Sequence, residues 1–263
     1  MQKLLFYIFV LIFLSGKAFG HLDLQKPFQD CSLEGSITVY DHKNKKWTFS
    51  DRRDARRETL PASTFKIINS LIALETGAVK DEKEVFKWDG QEREVDAWNS
   101  DTDLENAFRN STVWFYEEVA KRVGQEKYRE FLKKSRYGNG KIDRGEGVNF
   151  WVTGEFGVTP ENQIKFLKAF YEEKLPFSKR SFEIVKRIML EEKTDQYALR
   201  AKTGWTRFGG KDTGWWIGYV ERADNTYFFA TRVEKKRETQ NPRFGECRKE
   251  ITRSVLRQMK IIE

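Results

Sequence analysis

Cysteine and histidine are scarce in this chain, and their scarcity closes several classes of function. The two histidines, His21 and His42, are too few and too poorly placed for a Ser-His-Asp triad or for a metal site. Cys31 and Cys247 lack metal-ligand spacing and cannot by themselves form a disulfide scaffold. Their pairing stays open, since it requires the two ends of the chain to be neighbours. Five prolines leave no Pro-rich linker, and there is no internal repeat or low-complexity tract. Long hydrophobic runs are also missing after the first 20 residues. Those residues carry Lys3, an apolar run from Leu4 to Leu14, and the small residues Ala18 and Gly20. The pattern is that of a secretory signal peptide cleaved after Gly20, too short for a membrane-spanning helix.

What remains, residues 21 to 263, is long enough to bury a sizeable core. The 39% hydrophobic content, with 21 Phe and 8 Trp, excludes wholesale disorder. Removing the leader takes away two lysines and no acids, so the net charge of +8 becomes +6. Basic runs such as Arg52-Arg53-Asp54-Ala55-Arg56-Arg57 and Lys235-Lys236-Arg237 sit among acids and read as solvated faces, not as a nucleic-acid site. Export argues the same way: the expected location is periplasmic or secreted, with no nucleic-acid partner and no membrane span after cleavage.

Strand patterns lie at both ends. Gly35–Asp41 and Trp47–Phe49 flank a polar turn and read as a hairpin; Tyr197–Lys202, Trp215–Val220 and Tyr227–Val233 are aromatic and β-branched runs. Between them, from about residue 98 to 192, helical spacing dominates over Val113–Val123, Gln125–Lys134, Glu161–Glu173 and Ser178–Glu191, with glycine-rich breaks near 138 to 147. A last amphipathic helix covers about 246 to 260. The expected fold is α+β: an antiparallel sheet built from both chain ends, helices on its faces, and an inserted helical subdomain, about 61 to 195, within one domain.

Pro61-Ala62-Ser63-Thr64-Phe65-Lys66 opens a further helix that runs to Gly77, a residue suited to a left-handed stop. Positions i and i+3 share a helix face, so the Lys66 amine lies beside the Ser63 hydroxyl near a helix N-terminus that favours negative charge. That pair suits a nucleophile and its base. A Ser-x-x-Lys match is weak alone. Lys202-Thr203-Gly204, at the end of a strand pattern, supplies the second part: a strand edge offers backbone groups to an amide-like substrate, Gly204 permits close approach, and Lys202 attracts a carboxylate. Serine, lysine and Lys-Thr-Gly in this order form the pattern of penicillin-recognising serine enzymes.

Further matches lie between and around these motifs: Asn110-Ser111-Thr112-Val113-Trp114, Tyr137-Gly138-Asn139, Phe150-Trp151, Lys202-Thr203-Gly204-Trp205, and Gly214 through Glu221. With them, and with Gly35 to Asp41, the sequence resembles the class D (oxacillinase-type) serine β-lactamases over nearly the whole chain after the leader. Thr159-Pro160-Glu161-Asn162-Gln163 is a variant of the segment after the tryptophan.

The resemblance implies a β-lactamase that hydrolyses penicillin-type antibiotics through an acyl-Ser63 intermediate and so confers resistance. Lys66 carries a CO₂-derived carbamate (N6-carboxylysine) as general base, in apolar surroundings from Phe65, Val113 and Trp151; Trp151 donates to the carbamate. Ser111 relays a proton near Lys202. The backbone N–H groups of Ser63 and Trp205 form the oxyanion hole, while Thr203, Gly204 and Arg248 join the substrate-binding set. Arg243 and Arg253 lie close enough in sequence to compete with Arg248. Tyr137-Gly138-Asn139 is expected to be a structural wall of the site. No cofactor beyond CO₂ and no metal are expected, and the oligomeric state is left open, a homodimer included. A non-catalytic β-lactam sensor and a DD-peptidase share the nucleophile, and rapid deacylation separates the lactamase from both.

Overall fold

The computed structural model describes residues 22–142 and 148–263; the predicted signal segment, His21 and part of the glycine-rich break lie outside them. Six strands form one antiparallel sheet: β1 (Glu34–Asp41), β2 (Lys46–Phe49), β3 (Leu190–Lys193), β4 (Tyr197–Phe208), β5 (Lys211–Arg222) and β6 (Thr226–Lys236). Their spatial order is β2-β1-β6-β5-β4-β3. The N-terminal strand β1 therefore pairs with the late strand β6, from Glu34 opposite Glu234 to Asp41 opposite Tyr227. The α+β fold read from the strand patterns at both ends is the one observed.

Eight helices accompany the strands among the described residues: α1 (Lys26–Asp30), α2 (Lys66–Glu75), α3 (Leu104–Asn110), α4 (Val113–Val123), α5 (Gln125–Ser135), α6 (Pro160–Tyr171), α7 (Lys179–Ile188) and α8 (Phe244–Gln258). The strands alternate between two cores. Trp215, Ile217 and Tyr219 of β5 face the helices inserted between β2 and β3, whereas Trp216 and Val220 face α1 and α8. Helices cover both faces, which is why β5 reads as an almost unbroken apolar run. Phe28, Ile251 and Val255 fill the α1/α8 side, where Cys31 at the end of α1 and Cys247 in α8 form a disulfide. The question left open by the sequence is thus answered by the sheet: pairing β1 with β6 brings the two ends together.

Two sequence expectations are corrected. The predicted helix Ser178–Glu191 stops at Ile188, and Leu190–Lys193 becomes the edge strand β3, because the chain there pairs with Ala198–Arg200. Lys202-Thr203-Gly204 does not end its strand. β4 continues to Phe208 and turns back through Gly209 and Gly210, whose φ values of 61° and 74° suit a tight hairpin. The Gly-Gly pair, between Phe208 and Lys211, is itself a hairpin-turn signal.

Candidate active site

Beyond Ala201 β4 has a neighbour strand on one side only, since β3 pairs with it no further than Arg200. The open edge, Lys202 onward, runs past the turn that carries Ser63. Gly204 makes that approach feasible: a Cβ there would sit 2.9 Å from the Pro61 carbonyl oxygen and 3.1 Å from Thr64 Cγ2. Ser63 lies in a 3₁₀ turn, Ala62–Phe65, that feeds directly into α2, and so stands one step before the first α-helical turn expected for it. Ala62, immediately before it, holds φ 51°, a left-handed conformation that costs a non-glycine residue about 1–2 kcal/mol. The turn is held by its surroundings: the Ala62 N–H donates to the Trp151 carbonyl at 2.9 Å and the Thr64 N–H to the Pro61 carbonyl at 3.2 Å.

Lys66, the first residue of α2, donates from Nζ to Ser63 Oγ at 3.0 Å. Its side chain is 1% exposed. Burial pushes the amine down from 10.5 to about 7, against the opposing pull of Glu117. The ring of Tyr116 lies beneath it, 4.8 Å from Nζ, and the Tyr116 hydroxyl meets Ser70 Oγ, which also donates to the Lys66 carbonyl. Phe65, fully buried, stacks on Trp151, centroids 5.0 Å apart and planes within 8°. Nothing in the Ser-x-x-Lys spacing pointed to Tyr116. In hindsight its signal is position: it follows Ser111 by five residues, one turn into α4.

Ser111 joins α3 to α4 with φ 56°, so it closes the earlier helix and does not cap the later one. Lys202 donates to Ser111 Oγ at 2.6 Å and to Thr203 Oγ1 at 3.3 Å. Lys202 is 4% exposed, and burial, followed by the nearby charges of Lys66 and Arg248, holds its amine well below the usual lysine range. Two lysines and two hydroxyls thus converge: Ser63 and Lys66 from the turn that leads into α2, Ser111 from the α3–α4 junction and Lys202 from the β4 edge.

Of the three arginines that competed in sequence, Arg248 is the one that lines the cleft; Arg243 pairs with Glu250 and Arg253 with Glu192. Arg248 donates to the carbonyls of Gly204 at 2.5 Å and Gly245 at 2.9 Å. Burial lowers it only to about 10, so it stays cationic at neutral pH. Its neighbour Cys247 is the disulfide partner of Cys31, which fixes this end of α8.

Ser63, Lys66, Ser111, Val113, Trp151, Thr203, Gly204, Trp205 and Arg248 share one cleft of about 890 Å³. Lys202 reaches it through Ser111. The opposite wall was missed: Arg93, Val95 and Trp98 belong to a polar stretch without helix or strand period. Tyr137-Gly138-Asn139, expected as a wall, is behind the cleft instead. Tyr137 packs edge-on against Phe166 and tilted against Phe65, and a Cβ on Gly138 would collide with the ring of Phe156 at 2.4 Å. Among the described residues, Cys31, Cys247 and Glu250 bring three potential metal-binding atoms within 4.8 Å of one another, but both sulfurs are already in the disulfide.

Comparison with known proteins gives this arrangement its family. Residues 35–257 match the penicillin-binding protein transpeptidase domain. The chain is similar to β-lactamase OXA-48 of Klebsiella pneumoniae, 40% identical over 89% of this chain and 87% of that one, and to β-lactamase OXA-10 of Pseudomonas aeruginosa, 34% identical over 95% and 93%. Among solved structures, a class D β-lactamase from Sebaldella termitidis superposes with TM-score 0.88 at 44% identity, covering 91% of this chain and 96% of that one. The class D β-lactamase YbXI from Nostoc does so with TM-score 0.88 at 40% identity, covering 92% and 100%. The chain belongs to the class D serine β-lactamases and hydrolyses β-lactams.

Proposed function

We propose that this enzyme opens the lactam ring of penicillins by forming an ester at Ser63, with Lys66 as the base in both halves of the reaction. The observation that carries this reading is the 3.0 Å contact between Ser63 Oγ and an Nζ that burial has pushed to about 7. A lysine at its ordinary 10.5 is a fixed cation with no acceptor site. Near 7, a large fraction is neutral amine, which can attack CO₂, lose a proton and become a carbamate anion. That anion accepts the Ser63 proton as the Oγ–C bond forms.

The oxyanion is then held by the backbone N–H groups of Ser63 and Trp205; one such donor typically contributes a factor of about 10²–10³ in rate. As the C–N bond breaks, Ser111 hands a proton to the lactam nitrogen and is replenished through Lys202, its hydrogen-bond donor at 2.6 Å. Arg248 and Thr203 take the substrate carboxylate, Trp151 donates to the carbamate, and Val113 keeps the base dry. Water activated by the same carbamate hydrolyses the acyl ester. Time-resolved mass spectrometry after addition of penicillin tests the scheme. The wild type passes through a transient adduct on Ser63, Ser63→Ala forms none and is inactive, and Lys66→Ala accumulates a lasting one. Turnover by Ser63→Ala, or normal deacylation by Lys66→Ala, overturns it.

We also propose export to the periplasm or the medium, with cleavage after Gly20 leaving one domain from residue 21. The disulfide is what an oxidising compartment permits. No helix among the described residues is long and apolar enough to cross a membrane. Osmotic-shock release of activity from an expressing host, together with raised penicillin resistance, supports this; activity retained in the cytosol refutes it.

A further inference from the structure

Gln163, in the first turn of α6, is a fully buried polar side chain that takes no part in the proposed chemistry. It sits in the middle of a one-way chain of hydrogen bonds. The Tyr137 hydroxyl donates to Gln163 Oε1 at 3.1 Å, Gln163 Nε2 donates to Thr64 Oγ1 at 2.9 Å, and Thr64 Oγ1 donates to the Pro61 carbonyl at 2.7 Å. Tyr137, Gln163 and Thr64 are all at most 1% exposed. Bonds aligned donor to acceptor in a dry interior reinforce one another, and each loses its partner if the middle member turns over.

The last two members bracket the nucleophile. Pro61 and the strained Ala62 precede Ser63, and Thr64 follows it. On its other side the same turn meets Gly204 of β4 at distances that leave no slack. A left-handed Ala62 persists only where its surroundings over-determine it. Leucine fills a buried position of this size without any need for hydrogen-bond partners, so an amide there points to a need for direction as well as volume.

We infer that Gln163 is a positioning residue for catalysis: acting through Thr64, it clamps the Pro61–Thr64 turn against the β4 edge and so sets the Ser63 hydroxyl and N–H in register with the Trp205 N–H. The inference rests on Ser63 as nucleophile. Since a misplacement of about 1 Å can cost about 10² in rate, releasing the clamp lowers kcat/KM roughly ten- to a hundredfold.

The test is a double-mutant cycle with Gln163→Leu and Thr64→Val, reading kcat/KM for a chromogenic cephalosporin well below every melting temperature. Each single variant loses about tenfold or more, and the double variant loses no more than the worse single, because both remove the same link. Gln163→Glu adds a readout that a packing role would not move. Only the protonated carboxyl can donate to Thr64, so its kcat/KM recovers as pH falls, on a limb absent from the wild type. A Gln163→Leu enzyme within twofold of wild type overturns the inference, as do penalties that multiply in the double variant or a Gln163→Glu profile parallel to wild type. Should Gln163→Leu fail to fold, Thr64→Val and Gln163→Glu decide the matter. Turnover by Ser63→Ala refutes the nucleophile itself, whereas an inactive Ser63→Ala beside a fully active Gln163→Leu refutes only the clamp.

Discussion

Replacing Lys66 by methionine should make the protein more stable, and by an amount that depends on pH. In the unfolded chain the amine titrates near 10.5; in the folded protein burial brings it to about 7. Below pH 7 both states hold the proton, and the fold bears the whole cost of burying a cation. Above 10.5 neither does, and the cost disappears. Between these limits the unfolded state binds more protons, so stability rises with pH at up to about 1.4 kcal/mol per pH unit. The full span corresponds to about 5 kcal/mol, a third or more of the stability of a typical domain. Methionine keeps the bulk and has nothing to titrate. Urea unfolding of both proteins in CO₂-free buffer from pH 6.5 to 9.5 should therefore show Lys66→Met ahead by several kcal/mol at the acid end, with the lead shrinking steadily toward alkaline pH. Part of the gain comes through Lys202, whose proton is repelled by that of Lys66. Bicarbonate should raise the melting temperature of the wild type and leave that of Lys66→Met unchanged, since a carbamate turns a like-charged pair of lysines into an oppositely charged one. Parallel stability curves for the two proteins, with no bicarbonate effect, would refute the account of Lys66 as a desolvated amine.

Gly204→Ala places a methyl group 2.9 Å from the Pro61 carbonyl, so either β4 or the Pro61–Thr64 turn must move. Overpacking of this kind costs about 1–3 kcal/mol, and we expect a melting temperature a few degrees lower and kcat/KM reduced about a hundredfold; an unchanged enzyme would contradict the tight approach. Cys247→Ser opens a loop spanning a sequence separation of 216, which on chain-entropy grounds destabilises by up to about 5 kcal/mol. Calorimetry with and without reductant checks this, the variant matching the reduced wild type. Arg248→Ala removes a half-buried cation of the cleft and the partner of the Gly204 carbonyl, and should raise KM for penicillins tenfold or more with a smaller change in kcat. Equal losses in both constants for Arg248→Ala and Arg248→Lys would speak against carboxylate binding there.

What the sequence revealed of the site, and what it did not, follows from how far apart the partners lie. Ser63 and Lys66 are three residues apart, and the 3.0 Å contact between them needs only one turn of helix, so spacing alone found it. Val113–Val123 was legible for a similar reason, its apolar positions repeating on one face between Ser111 and Gly124. The contact from Lys202 to Ser111 crosses 91 residues and exists only because β4 carries an open edge past the α3–α4 junction. No local pattern encodes that; the resemblance to a family supplied it. Ser111 shows the limit of local reading most clearly. It stands just before α4, yet its φ of 56° makes it the end of α3, a conformation that local propensity disfavours and the surrounding fold must enforce. Ala62 repeats the case beside Ser63. Both strained residues sit at or beside a hydroxyl of the cleft, and both hydroxyls accept from a buried lysine. The strain and the buried amines have one origin: a sheet edge and two helix junctions packed closely enough to exclude water. That packing lowers the lysines, and without it neither would serve as anything but a cation.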